Sequence, residues 1–189
     1  METLLTQHDY YRFFVGVIYN NIDDTLEASI RAAYKDVCRT ISGFSKNINH
    51  DVILDNAKKL LYKEVNLMLN NNIKNQEDFD NWHEEFCNKL INEFKGQTFT
   101  YGQAQKWINM TLKNLSMLEH QKVRNIYQFF HVPVDNYILK GANYNLRVPW
   151  SKLSNYDEYL EFQKYFRTKY NEIPLDKEFN MWLEQTRNM

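Results

Sequence analysis

Apolar positions recur at intervals of three and four along nearly the whole chain, and this spacing predicts helices. The first, 6–20, has an almost wholly apolar second half from Phe13 to Tyr19, which suggests a central place in the fold. A second opens at Asp23 and Asp24, runs to about residue 41, and lines up Leu26, Ile30, Ala33, Tyr34, Val37 and Ile41. Residues 42–49 read as a loop, and Asp51 reads as the cap of a third helix with Ile53, Leu54, Ala57, Leu60, Leu61, Val65 and Met68 inward. After a polar break at 70–75, a fourth helix over about 77–94 carries Phe79, Trp82, Phe86, Leu90 and Phe94 on one side. The loop 95–100 leads into a long helix with Tyr101, Ala104, Ile108, Leu112, Leu115 and Leu118 as its apolar stripe, and a shorter helical piece follows at 121–130. All three prolines, Pro133, Pro149 and Pro174, fall in the last third, so the chain is more broken there. A loop at 141–151 precedes an aromatic helix at 155–170, and Pro174 suits the first turn of a last helix through Phe179, Trp182 and Leu183. With no strand alternation and no internal repeat, the pattern predicts an all-α domain, a compact array of about seven to nine helices. It is read as a single domain, 1–189, in three segments: an amino-terminal helical segment over 1–96, a middle over 97–154, and an aromatic tail over 155–189 packed on the core.

Composition narrows the picture. Among 189 residues, 43% are hydrophobic and 15% aromatic, which argues against disorder. Cys38 and Cys87 are the only cysteines, so neither a disulfide framework nor a four-thiolate zinc site can form within one chain. The run Phe13 to Tyr19 is too short to span a bilayer. The start, with Glu2, His8, Asp9 and Arg12, is not shaped like a signal peptide, so a cytoplasmic location and no membrane partner are expected. His83-Glu84-Glu85-Phe86-Cys87 imitates a zinc-protease helix with cysteine in place of the second histidine. No third ligand is evident, and no metal or cofactor is expected.

The net charge of −1 predicts no general affinity for nucleic acid. Its distribution is less neutral. Residues 97–154 hold seven Lys or Arg against two Asp or Glu, a balance of +5, whereas residues 1–96 hold eleven against fifteen, a balance of −4. A basic centre beside an acidic flank suits a DNA-facing surface.

The chemistry-bearing residues concentrate between Phe99 and Tyr137. Gly102 stands where a polar stretch enters the long helix, and glycine can take backbone angles closed to other residues. Gly102, Lys106, Asn109 and Lys113 share one stripe of that helix, with two positive charges and no carboxylate. Such a stripe reads either as a solvated face or as a site. Farther on, Pro133 disfavours helix at Val132, so the chain is expected to be extended there and to restart as helix near Asp135. Asp135 reads either as a simple N-cap or as a carboxylate pinned at a helix start and facing a pocket.

Gly102-Gln103-Ala104-Gln105-Lys106, followed by Val132-Pro133-Val134-Asp135, resembles the helix-hairpin-helix DNA glycosylases of the 8-oxoguanine glycosylase branch. The resemblance covers about residues 95–139, with Ala104 where that family has a second glycine and with Lys106 and Asp135 29 positions apart. It implies a helix-hairpin-helix-like element in the middle of the chain, Lys106 as nucleophile and Asp135 as its acidic partner. It further implies DNA contacts from the hairpin near Gly102, to which Gln103, Gln105, Asn109 and Lys113 on the same helix and Arg147 in the later loop are added. Trp107, Phe130, Tyr137 and Trp150 are the candidate walls of a base pocket, since an extruded base is held between aromatic or apolar side chains.

Two functions follow. One is DNA base excision by a glycosylase with possible lyase activity, acting on a damaged or modified base. The other is a helical interaction protein without catalysis, for instance a phage or defence-system component that binds a protein partner through exposed aromatics.

Overall fold

The computed structural model describes residues 6–20, 23–70 and 73–186. Glu2, and the middle of the polar break at 70–75, lie outside these residues. Every regular element among the described residues is helical. The α-helices are α1 (Gln7–Tyr19), α2 (Thr25–Val37), α3 (His50–Asn70), α4 (Gln76–Glu93), α5 (Tyr101–Leu118), α6 (His120–Val123), α7 (Asn136–Ala142), α8 (Tyr156–Tyr170) and α9 (Pro174–Thr186). Short 3-10 turns lie between them, including Phe44–Lys46 within the expected loop at 42–49 and Trp150–Lys152 within that at 141–151.

Most of the longer helices start at a side-chain cap. Thr6, Asp24, Asn75, Thr100, Asp135 and Asn155 each accept a backbone N–H from the first turn of the helix that follows. Thr100 forms a full capping box with Gln103, whose side chain reaches back to the Thr100 N–H at 2.9 Å. Asp51 is no cap: α3 begins one residue earlier, and Asp51 sits in its first turn.

Helix α5 is the axis of the molecule. α2 lies along it, α4 and α8 pack on other sides, and the Trp150–Lys152 turn closes over its start. Fourteen of its eighteen residues are buried, polar ones included. The stripe of Gly102, Lys106, Asn109 and Lys113 is therefore not a solvated face. Helices already cover the apolar side, and the later segment 130–135 and α9 cover the polar one, so its polar groups find partners inside the protein.

Helix α1 is not central either. It packs on α2 and buries only Val15, while Tyr10, Tyr11, Phe13, Phe14, Val17 and Ile18 are 44–66% exposed. Its one substantial helix partner is α2, so most of its apolar side chains find no surface to pack against.

Gly102 is required for space, not for unusual torsion. A Cβ there would lie 1.7 Å from the Trp150 carbonyl oxygen, and the Gly102 N–H donates to the Leu153 carbonyl at 3.1 Å. Because the clash is with main chain, no side-chain rotation relieves it. Gly102→Ala is expected to destabilise the fold by about 2–4 kcal/mol, read as a lower urea midpoint, whereas Gly16→Ala, where a Cβ meets nothing within 4 Å, should not. Equal midpoints for the two variants would contradict this packing.

Candidate functional site

Residues 130–135 run extended through the interior with no neighbouring strand to take their backbone hydrogen bonds. Side chains take that role. Gln105 accepts from the Val134 N–H at 3.2 Å and donates to the Val134 carbonyl at 3.1 Å. Gln163 does the same for Val132, at 3.0 and 2.9 Å. Each glutamine thus clamps one residue at both its donor and its acceptor, as a neighbouring strand would. Arg167 adds a donor to the Phe129 carbonyl at 3.0 Å.

The clamps continue into a polar network inside the core. Asn109 donates to Gln105 at 3.1 Å and to the Tyr159 hydroxyl at 2.9 Å. Nε2 of His83 faces the Asn109 carbonyl oxygen at 3.0 Å, and its Nδ1 faces the Tyr156 hydroxyl at 2.9 Å. The Tyr159 hydroxyl lies 2.7 Å from Nδ1 of His131, whose Nε2 lies 2.8 Å from Asp80. Burial drives the His83 pKa well below the histidine value and lowers that of His131 to about 4, although the bond to Asp80 acts the other way. Cys87 comes within 3.7 Å of His83, but His83 is committed to Asn109 and Tyr156, and no group of three metal-ligating side chains occurs among the described residues.

The clamped segment delivers Asp135. One carboxylate oxygen, Oδ1, accepts from the Ile138 N–H at 3.0 Å and caps α7. The other, Oδ2, lies 2.6 Å from Lys106 Nζ. One side chain both caps α7 and reaches Lys106, because a carboxylate has two oxygens. The pair is largely withdrawn from water, at 7% exposure for Lys106 and 22% for Asp135.

Beside the pair opens a cavity of about 350 Å³. Lys113, two helical turns beyond Lys106, also lines it and meets Glu178 of α9 at 2.5 Å. Lys113 further lies 4.5 Å above the Phe179 ring, and burial raises the pKa of Glu178 against the opposing pull of Lys113. Asp36 and Arg39 reach the cavity from α2 and the turn after it, while Tyr137, Trp150 and Trp182 supply aromatic walls. Three cations and three carboxylates line the space, so its formal charge is balanced.

The chain matches no protein-family model, no curated protein and no solved structure.

The candidate residues divide into four groups in space. Lys106, Asp135, Lys113, Tyr137 and Trp150 converge on the one cavity. Gly102, Gln103, Gln105 and Asn109 are buried and bonded within the fold, with Gly102 taken by Leu153, Gln103 by Thr40 and Thr100, and Gln105 and Asn109 by the clamped segment. None of these four presents a donor to an outside phosphate. Trp107 and Phe130 are core residues with no exposure, and the Trp107 indole N–H donates to the Ile30 carbonyl at 3.1 Å, so neither walls the cavity. Arg147 is exposed on the loop after α7. Glu178, Asp36 and Arg39 were not singled out from the sequence, and Trp182 was read only as part of the last helix, although two lysines on a helix without its own carboxylates signalled that acidic partners had to come from elsewhere.

Two outcomes test this arrangement. Gln105→Leu leaves the Val134 N–H and carbonyl without partners and is expected to cost about 2–4 kcal/mol, checked by urea unfolding at constant m-value. A loss below ~0.5 kcal/mol would show that the clamp carries little. The histidines set a pH dependence: the unfolded chain protonates His131 near pH 6.5, whereas the folded chain resists until about 4. Stability is therefore full above pH 6.5 and falls as pH drops toward 4, by up to ~3 kcal/mol from this group. A flat unfolding free energy across that window would contradict a neutral buried His131.

Proposed function

We propose that the cavity is the catalytic centre of a DNA base-excision glycosylase with lyase capability. The carrying observation is the meeting of Lys106 Nζ with Asp135 Oδ2 at 2.6 Å on the wall of a cavity with aromatic sides, from positions 29 residues apart. An amine, a carboxylate held by a helix cap and flat apolar walls are what displacement of a base from its sugar requires. The cavity volume suits a small flat guest.

In this reading Asp135 Oδ2 takes a proton from Lys106, freeing the lone pair on Nζ. That pair forms a bond to the anomeric carbon of an extruded nucleotide while the bond from this carbon to the base nitrogen breaks. The bonding electrons leave with the base, which takes up the proton held on Asp135 Oδ2, so the step restores the carboxylate. The Asp135 carboxylate opposes the positive charge that builds on the sugar, and its cap bond to Ile138 fixes where that charge is met. Opening of the sugar ring then gives a Schiff base between Lys106 and the sugar, the species from which lyase chemistry proceeds.

A second reading, a protein-binding helical module such as a phage or defence-system component, draws on α1. Its exposed row of Tyr10, Phe13, Phe14, Val17 and Ile18 is larger than isolated surface apolar residues explain.

Borohydride trapping decides for the first reading. Duplexes carrying an abasic site or 8-oxoguanine are expected to give a covalent protein–DNA band that disappears in Lys106→Ala and falls at least about 100-fold in Asp135→Asn. Absence of both a trapped band and a released base across a panel of modified duplexes would overturn the glycosylase reading and leave the α1 module.

A further inference from the structure

A nucleotide cannot enter the Lys106 cavity without its flanking backbone resting on the protein. The start of α5 does not offer that rest, because the Gly102 N–H is bonded to Leu153 and the Trp150 main chain lies against it. Nor does the Lys106 cavity, whose three cations face three carboxylates. The charge that could hold phosphate lies next door.

A second cavity, of about 520 Å³, opens between α7 and residues 143–149. It shares Asn136 and Trp150 with the Lys106 cavity, so the two adjoin across these side chains. Its charged lining residues are Lys140 and Arg147, and it contains no carboxylate; Asn136, Asn143 and Asn145 add amides. Neither cation forms an ion pair with another described residue, in contrast to Lys106, Lys113 and Lys122 of the same basic middle region. On the other side of this loop the character reverses: a hollow that also borders on Arg147 is lined by Asp157, Glu158 and Glu161, which repel an anion. A polyanionic strand is thus favoured on the α7 side of this loop and disfavoured on the other.

We propose that the cavity bearing Lys140 and Arg147 binds the phosphodiester backbone of the nucleic-acid strand next to the nucleotide held at Lys106. The proposal rests on the glycosylase reading for the identity of the neighbouring nucleotide, but not for the binding itself. Lys140 and Arg147 supply charge, and the asparagine amides supply uncharged donors to phosphate oxygens. The site positions the strand without reading its sequence.

The test is fluorescence anisotropy of the full chain with a duplex containing a tetrahydrofuran abasic analogue, titrated across a range of salt concentrations. Wild-type binding is expected to weaken with salt, and Lys140→Ala/Arg147→Ala to lower affinity at least about tenfold at low salt and to flatten the log–log salt slope by about 1–2. Lys140→Arg/Arg147→Lys, which keeps both charges, is expected to retain the wild-type slope. Both cations are exposed, and an unchanged thermal midpoint in each variant confirms that binding alone has been altered. Equal affinity and slope in the wild type and the alanine variant would overturn the proposal, as would absence of salt-dependent binding by the wild type. Trapping through Lys106 is scored separately. Binding that depends on Lys140 and Arg147 without any trapped band supports this site and removes the glycosylase reading. A trapped band with binding indifferent to both cations does the reverse.

Discussion

The structure depends on satisfying a stretch of extended backbone in an interior built from helices. A strand in a sheet has its amides and carbonyls paired by its neighbours, and a helix pairs its own. Residues 130–135 have neither, yet most of them are fully buried. Two glutamines from different helices, α5 and α8, stand in for the missing strand, and both must be in register for the segment to lie where it does. The site is therefore not an ornament on a finished core. The interactions that place Asp135 are those that let the core close.

The same economy governs charge. A buried lysine is costly unless paired, and removing one partner leaves the other stranded. Lys106 and Lys113 are held by carboxylates from a helix cap and from α9, two segments distant in sequence from α5 and from each other. Their pairing ties the carboxyl-terminal region of the chain to the axis and leaves an opening between the two pairs. Around that opening, the polar atoms that would have made an ordinary solvated face are turned inward.

Much of the fold was legible because helices announce themselves locally, by period and by cap. The spacing of Leu26, Ile30, Ala33 and Val37 and the caps at Asp24, Thr100, Asp135 and Asn155 need only neighbours in sequence to be understood. What the sequence concealed was non-local. Lys106 and Asp135 could be singled out by type, but their 2.6 Å approach depends on clamps from Gln105 and Gln163 that no periodicity reveals. Glu178 looks like any surface acid of an amphipathic helix until α9 is laid against Lys113. Helix α1 misled for the opposite reason: apolar content was read as depth, although depth requires something to pack against. Trp107 and Phe130 show the same limit for aromatics, whose ring chemistry suits a core as well as a pocket.

The contact at Gly102 has a consequence for the shape of the cavity. The main chain of residues 150–153 is tied to the start of α5 by the Gly102 N–H to Leu153 bond, by the Thr100 hydroxyl to the Ser151 carbonyl at 2.9 Å, and by the absence of a Cβ that lets the backbones touch. Trp150 is carried on this anchored stretch, so one wall of the cavity stands on main chain and cannot swing aside as a lid would. The opposite boundary belongs to α9, where Trp182 is exposed and Glu178 is joined to α5 through a side-chain pair. A guest entering this hollow is measured against Trp150, a ring with main chain directly behind it, while on the α9 side it meets an ion pair.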